Sequence, residues 1–248
     1  HCRVVPLLSK TASAMALPEH LRRPARRLQR QFESLNAKRQ WVRGLEDGSE
    51  LDLEAYINYR GERSSGRAMP TPALYQQMLP GHRDLATLVL ADLSLSTEAS
   101  LSDDQQVIDV IRDAMFLFSE SLRATADRFA LYGFSSKKRE MVRFTTIKGF
   151  NDRYDDTVRG HIQAIKPGLF TRMGGAIRQA TEILAKQPNQ QRLLLILTDG
   201  KPNDLDKYEG RYGIEDTRQA IIEAKQAGLL PFCITIDSDA EDYLPYLF

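Results

Sequence analysis

The sequence predicts an α/β fold: a doubly wound, mainly parallel sheet with helices on both faces, preceded by a helical N-terminal extension. Three observations predict it. From residue 84 onward, short apolar runs alternate with amphipathic segments, the rhythm of strand–helix repeats. The runs are almost continuously apolar, as in strands covered on both faces. Several of them end abruptly in polar residues, the place where open α/β sheets gather ligands. Composition agrees with one substantial core. The chain has 248 residues, 42% hydrophobic and 27% charged, and 34 Lys+Arg balance 33 Asp+Glu to a net charge of +1. That balance lacks the basic excess of a dedicated nucleic-acid binder. No apolar run approaches the ~20 residues that span a bilayer, which argues against an integral membrane protein.

The expected boundary falls after residue 83. Residues 1–83 read as an N-terminal extension, partly helical, that packs on or links to the α/β domain of residues 84–248. The extension carries Pro6, Pro18, Pro24, Pro70, Pro72 and Pro80 and a basic stretch from Leu21 to Arg43. Within that stretch Arg22, Arg23, Arg26, Arg27 and Arg30 recur at three- and four-residue steps, with Pro24 breaking or starting the helix they imply. A solvated basic face is the common outcome of such a run. Contact with an acidic partner is the sharper reading, and nucleic acid a weak third.

In the α/β domain, Leu85–Ala91 is the first expected strand, followed by Arg128–Phe134, Met141–Ile147, Arg192–Thr198 and Leu230–Ile236. Between the first two, Val107, Ile108, Ile111, Met115, Phe118 and Leu122 recur at helical spacing. Further helices are expected over Tyr154–Ile165, Gly174–Lys186 and Glu215–Ala227, the last closed by Gly228.

The strand ends carry the chemistry. The first run ends in Asp92-Leu93-Ser94-Leu95-Ser96, a D-x-S-x-S pattern, and the fourth in Thr198-Asp199-Gly200. Thr171 lies in the turn that opens the helix from Ala176. Carboxylate and hydroxyl oxygens are hard ligands, suited to Mg2+ or Ca2+. Asp92 and Asp199 would supply charge, and Ser94, Ser96 and Thr171 neutral oxygens. Mg2+ seldom accepts an all-protein cage, so a position is left for an acidic side chain of another protein. Singly, each piece has a plainer reading: Asp-Ser-Ser segments and Asp-Gly are common turn material, and Thr171 can simply cap a helix. All three at strand or helix junctions, in one order, favour the metal site.

With those residues in hand, the chain resembles a von Willebrand factor A domain, whose metal-ion-dependent adhesion site uses D-x-S-x-S, a distant Thr and a distant Asp. The likeness covers residues 84–248 and gives those roles to Asp92, Ser94, Ser96, Thr171 and Asp199. It implies that the hydroxyls bind metal directly and the aspartates often through water, with Mg2+ as the cation and Ca2+ or Mn2+ as alternatives. A narrower resemblance, to the NorD/CbbO family, runs through Arg83-Asp84-Leu85-Ala86, Asp92 to Thr97, Thr198 to Arg218, Pro231 to Asp237 and Tyr243-Leu244-Pro245, with Gly48 to Leu53 upstream. Members are adaptors that work with a hexameric MoxR-type AAA+ ATPase on a client metalloenzyme. The client is nitric oxide reductase in the NorD branch, the nearer likeness, and Rubisco in the CbbO branch. The resemblance therefore implies a non-enzymatic protein-binding adaptor.

The polar segment Lys201–Arg218 is expected to be an extended loop beside the metal that faces a partner, with Lys201, Asp204, Tyr208 and Arg211 as candidate contacts and Asp204 as a possible outer carboxylate. Catalytic readings fare poorly. His1, His20, His82 and His161 form no metal-ligand spacing, and neither G-x-S-x-G nor G-x-x-x-x-G-K-[ST] is present. The rival from another class is a Mg2+-dependent hydrolase or phosphoryl-transfer enzyme using Asp92 or Asp199 to hold a metal-bound water, for which no general base is evident. A metal-chelatase subunit is a third, more distant option. Two cysteines, Cys2 and Cys233, make no disulfide framework; Cys233 reads as a buried structural thiol, and a reducing cytoplasm is the expected setting. The chain opens on His1 with no initiator Met and ends on the apolar Leu247-Phe248, so a piece of a longer protein is expected; its N-terminus shows no signal-peptide pattern.

Overall fold

The structure is a computed structural model and describes residues 2–8, 12–35, 39–65, 73–80, 84–102, 105–200, 202–236 and 244–248. Contacts divide the chain into two units, His1–Arg30 with Asp84–Phe248, and Gln31–Arg83. The sequence predicts one boundary, after residue 83; the structure groups the first 30 residues with the larger unit. The reason is a strand the periodicity did not reveal. β1 (Val4–Leu8) pairs in parallel with a distant strand, Met141–Lys148, from Val4 opposite Val142 to Leu8 opposite Thr146. Pro6 sits in β1 without penalty because β1 is the outermost strand, where one missing N–H breaks no interior ladder.

Helix α1 (Arg22–Leu35) follows a short 3-10 turn at Glu19–Leu21. Pro24 falls in its first turn, where a missing N–H costs nothing, so it starts the helix rather than breaking it. The smaller unit comprises β2 (Arg39–Leu45), β3 (Glu50–Leu51), α2 (Leu53–Ser64) and β4 (Tyr75–Pro80). Its strands form an antiparallel sheet in the order β2-β4-β3. Asp52 caps α2 by accepting from the Glu54 and Ala55 amides at 3.1 and 3.2 Å.

The larger unit continues with β5 (Leu85–Asp92), the small ladder of β6 (Ser100–Ser102) with β7 (Gln105–Gln106), α3 (Val107–Ala124), β8 (Arg128–Lys137) and β9 (Met141–Lys148). Then come α4 (Asp156–Gln163), α5 (Met173–Ala185), β10 (Gln191–Thr198), α6 (Gly210–Gln226), β11 (Leu230–Thr235) and the short α7 (Leu244–Leu247). The sheet order is β1-β9-β8-β5-β10-β11. From β8 through β11 the strands are parallel, and only the β8–β9 hairpin reverses direction. This is the mainly parallel, doubly wound sheet the sequence predicts.

Every residue of β5 is buried, because the strand is central and covered on both faces. Side chains alternate between faces. Ala86, Leu88 and Leu90 pack with Leu194 and Ile196 of β10 against Ala176, Ile177, Ala180 and Leu184 of α5 and Ala220, Ile221 and Ala224 of α6. α3 contacts β8 and α4 contacts β9. In α3, Val107, Ile108, Ile111, Met115, Phe116 and Leu122 are buried. Phe118, expected on that stripe, is only half-buried; Phe116 takes the deep position. α6 starts at Gly210, five residues before the expected start, and ends as read, with Gly228 at φ +77° in the left-handed conformation that terminates a helix. Among the described residues no helix is long and apolar enough to cross a membrane. Cys2 and Cys233 are both free thiols, each half-buried.

Candidate metal centre

Parallel neighbours place their carboxyl ends on one rim. β5 and β10 run side by side, Ala91 opposite Leu197, so Asp92 and Asp199 emerge together. Asp92 is fully buried and is held at both oxygens: the Ser94 amide donates to Oδ1 at 2.9 Å, and Thr198 Oγ1 donates to Oδ2 at 3.0 Å. The first bond is an Asx turn, which bends the chain off the strand. Thr97 Oγ1 then donates to the Ser94 carbonyl at 2.7 Å and tightens the 3-10 turn Leu95–Glu98. Those bends bring Ser94 Oγ and Ser96 Oγ to 2.7 Å, and Ser96 Oγ donates to Asp199 Oδ1 at 3.0 Å. The set is graded in depth. Asp92 lies at the bottom, Ser94 is buried above it, Asp199 is half-buried and Ser96 is exposed.

Thr171 reaches the same rim by backbone pairing. The Gly168 amide donates to the Leu93 carbonyl at 2.8 Å, and the Leu95 amide to the Leu169 carbonyl at 2.9 Å. Phe170 exchanges two bonds with Ser136 at the end of β8, and Thr171 exchanges two with Asn203 beyond β10. This short segment thus zips together the loops that follow β5, β8 and β10. Leu169 pays for the path with φ +69°, a left-handed conformation that bulky residues avoid. Thr171 is buried, and among the described residues no hydrogen bond links its hydroxyl to the other four. Hydrogen bonds join Asp92, Ser94, Ser96 and Asp199 through Ser94 and Ser96; Thr171 is aligned beside them through its main chain.

Electrostatics favour a cation here. The Asp92 carboxyl is pushed up to about 7, first by burial and next by the Asp199 charge, against the opposing bonds from Ser94 and Thr198. Two carboxylates that repel, with hydroxyl oxygens between them, form a hard-oxygen donor set that fits Mg2+ or Ca2+. Among the described residues no three His, Cys, Asp or Glu side chains gather as a metal cluster, so the rim's donors are two carboxylates and neutral hydroxyls.

The segment after β10 departs from expectation. Lys201 lies outside the described residues, and Arg211 is on the surface with its side chain 93% exposed, 3.9 Å from Glu215. Asp204 and Tyr208, expected to face a partner, are buried. Asp204 accepts from Ser136 Oγ at 2.9 Å, the Lys138 amide at 2.8 Å and Arg172 Nε at 3.2 Å. Arg172 also pairs with Asp206 and stacks over the Tyr208 ring at 4.1 Å. Tyr208 Oη accepts from the Gly174 amide at 3.1 Å and donates to Asp216 at 2.6 Å. A side chain at Gly174 would displace the Asp216 carboxylate from its bond with Tyr208. Contrary to the expectation that they meet a partner, Asp204 and Tyr208 organise the loop from inside and cannot touch a partner while buried. Two signals in the sequence pointed there. Arg172 opens a helix at the end where a cation is unfavourable, which calls for an acid partner, and Tyr208 is an aromatic residue within a polar run.

Comparison with known proteins agrees with the fold. The family model for the von Willebrand factor type A domain matches residues 89–246. Protein NorD of Stutzerimonas stutzeri is 56% identical over 232 residues, covering 94% of this chain and 38% of that protein. Protein NorD of Brucella abortus is 40% identical over 249 residues, covering 100% of this chain and 39% of its own length. The chain spans about two fifths of the length of the curated relatives it matches. Among solved structures, a variant of the PilB minor pilin from Streptococcus sanguinis superposes with a TM-score of 0.54 at 15% identity, over 73% of this chain and 58% of that one; this likeness concerns the fold alone.

Proposed function

Because the chain belongs to the von Willebrand factor type A domain family, we propose that it is a non-catalytic accessory module of the NorD type that holds a divalent cation at its rim and offers it to a partner's acidic side chain. Mg2+ is the first choice, with Ca2+ or Mn2+ acceptable to the same oxygens. Ser94, Ser96 and Thr171 would hold the cation, with Asp92 and Asp199 supplying charge. Few anionic ligands would touch the metal directly, so it would stay electrophilic toward an incoming carboxylate.

One observation carries this reading: the Ser94, Ser96 and Asp199 oxygens form a chain of contacts at 2.7 and 3.0 Å on the exposed side of a buried Asp92. The names of the similar proteins support a NorD-type accessory role, and we extend that role to a finer assignment. In it, the module couples a MoxR-type AAA+ ATPase to a client metalloenzyme in the cytoplasm, with nitric oxide reductase as the client and Rubisco, in the manner of CbbO, as the alternative.

The test is a pull-down of the ATPase and the client with wild type and with Asp92→Ala, in MgCl2 and in EDTA. Capture is expected only with wild type in MgCl2. Equal capture under all four conditions rejects a metal-bridged module. Metal-dependent turnover of a phosphoester, abolished in Asp199→Ala, would instead support the hydrolase.

A further inference from the structure

Helix α1 breaks local electrostatic rules without any compensation in the fold. Its first turn holds no acidic residue and begins Arg22-Arg23, where the helix dipole disfavours cations. Arg22–Arg26, Arg23–Arg27 and Arg26–Arg30 are like-charge pairs at four-residue spacing, which repel on a helix surface. All five arginines are exposed, and among the described residues none is ion-paired. They occupy about 140° of the helix circumference and about 12 Å of its length. The opposite side of α1 is committed inward: Leu21 and Ala25 are buried, His20 reaches Asp113 of α3 at 3.1 Å, and Gln29 donates to the Glu120 carbonyl at 3.2 Å.

We propose that the arginine arc of α1 is a second docking surface, separate from the metal rim, for an acidic protein segment. Its chemistry selects among anions. Guanidinium forks pair bidentately with carboxylates, and five of them match an acidic helix or strand laid along α1. A bilayer is a poorer fit, because an interfacial helix must insert an apolar face, whereas Leu21 and Ala25 are buried in the fold and, among the described side chains of α1, no large apolar one is exposed. Nucleic acid is a poorer fit too. The arc carries no aromatic ring for stacking. Since the whole chain carries +1 and the arc alone has five positive groups, the remainder is negative overall and repels a long polyanion.

The whole chain is titrated with a labelled oligoglutamate peptide, with phosphatidylserine-containing vesicles and with duplex DNA, all in EDTA. Wild type is expected to bind oligoglutamate, and Arg22→Glu/Arg23→Glu to bind it about tenfold more weakly. The control Arg60→Glu/Arg63→Glu, on exposed positions of α2, is expected to bind like wild type. The thermal midpoint separates docking from folding. Arg22→Glu/Arg23→Glu creates opposite-charge pairs with Arg26 and Arg27 and favours the dipole, so it should melt no lower than wild type. A lower midpoint together with lost binding makes the arginines structural and overturns the proposal. So do equal weakening by the control, tighter binding of vesicles or duplex through the same arginines, and dependence on Mg2+. Arg26→Gln/Arg30→Gln, which adds no charge, serves as the second variant and should also weaken binding.

Discussion

Two polar segments leave neighbouring parts of the same sheet edge and end in opposite states. Asp92–Ser96 turns its hydroxyls outward, so that its oxygens rise from a buried carboxylate to an exposed serine. Asn203–Tyr208 turns Asp204 and Tyr208 inward, where Arg172 pairs with Asp204 and Asp206 and stacks on Tyr208, and leaves Lys207 at the surface. Both are short polar stretches that follow apolar strands, Asp92–Ser96 after β5 and Asn203–Tyr208 after β10. Partners separate them: Asp204 finds a guanidinium and main-chain donors within the fold, whereas the Ser94 and Ser96 hydroxyls meet at 2.7 Å and Ser96 donates to Asp199 at 3.0 Å. A buried charge network fixes shape, and an exposed set of lone pairs is left over for chemistry. The rim is thus held in position by a segment that never needs to touch a ligand.

That contrast is tested hardest at Arg172. Arg172→Met leaves Asp204 and Asp206 without their guanidinium, and breaking a buried pair from one side typically costs about 3–5 kcal/mol. Urea unfolding should register a loss of that order. A loss under ~1 kcal/mol would show that the segment is solvated after all, and that the two regions differ less than their burial suggests. Tyr208→Phe is milder. It removes the donor to Asp216 and the acceptor for the Gly174 amide, for an expected loss of about 1–2 kcal/mol. The ring and its stack with Arg172 remain.

Lys148 offers a buried charge with different company. Its ammonium donates to the carbonyls of Phe129 and Gly149 at 2.7 and 3.0 Å and lies 4.3 Å from the Phe129 ring centre. Burial lowers its pKa to about 8, with Asp152 opposing and Arg128 assisting the shift. A lysine depressed on folding destabilises the fold fully below its folded pKa, and the cost fades as pH rises toward the unfolded value of ~10.4. Wild type should therefore gain on Lys148→Met by about 1 kcal/mol between about pH 8 and pH 9.5. A difference that stays flat across that window would place Lys148 with the well-paired charges, beside Arg172.

Much of this was legible in advance, for identifiable reasons. The strands of the core announce themselves because a central parallel strand is apolar on both faces, so Leu85–Asp92 and Gln191–Thr198 depart from the reading by a single residue each. The rim residues were named because D-x-S-x-S, Thr and Asp fall at strand and helix junctions. What stayed hidden depends on distance in sequence. β1 has no distinctive period and gains its identity only by pairing with β9. Asp204 and Arg172 are separated by 32 residues, and no local pattern says that one will bury the other. Polar loops reveal their composition in the sequence, but their orientation depends on which cations the fold delivers.

The smallest stability effect belongs to the rim itself, and it sharpens the comparison most. Ser96 is exposed and links Ser94 to Asp199 through one hydroxyl. Surface substitutions of this kind usually shift stability by less than about 0.5 kcal/mol, so in EDTA Ser96→Ala should unfold within that margin of wild type. In MgCl2 the two should part. A cation that binds only the folded state raises its midpoint by mass action, and if Ser96 is one of its ligands, as proposed, the variant should lose most of that gain. If Ser96→Ala instead costs as much as Tyr208→Phe without metal, the hydroxyl is structural like the network behind it, and the division between scaffold and ligand-bearing oxygens must be redrawn one residue closer to solvent.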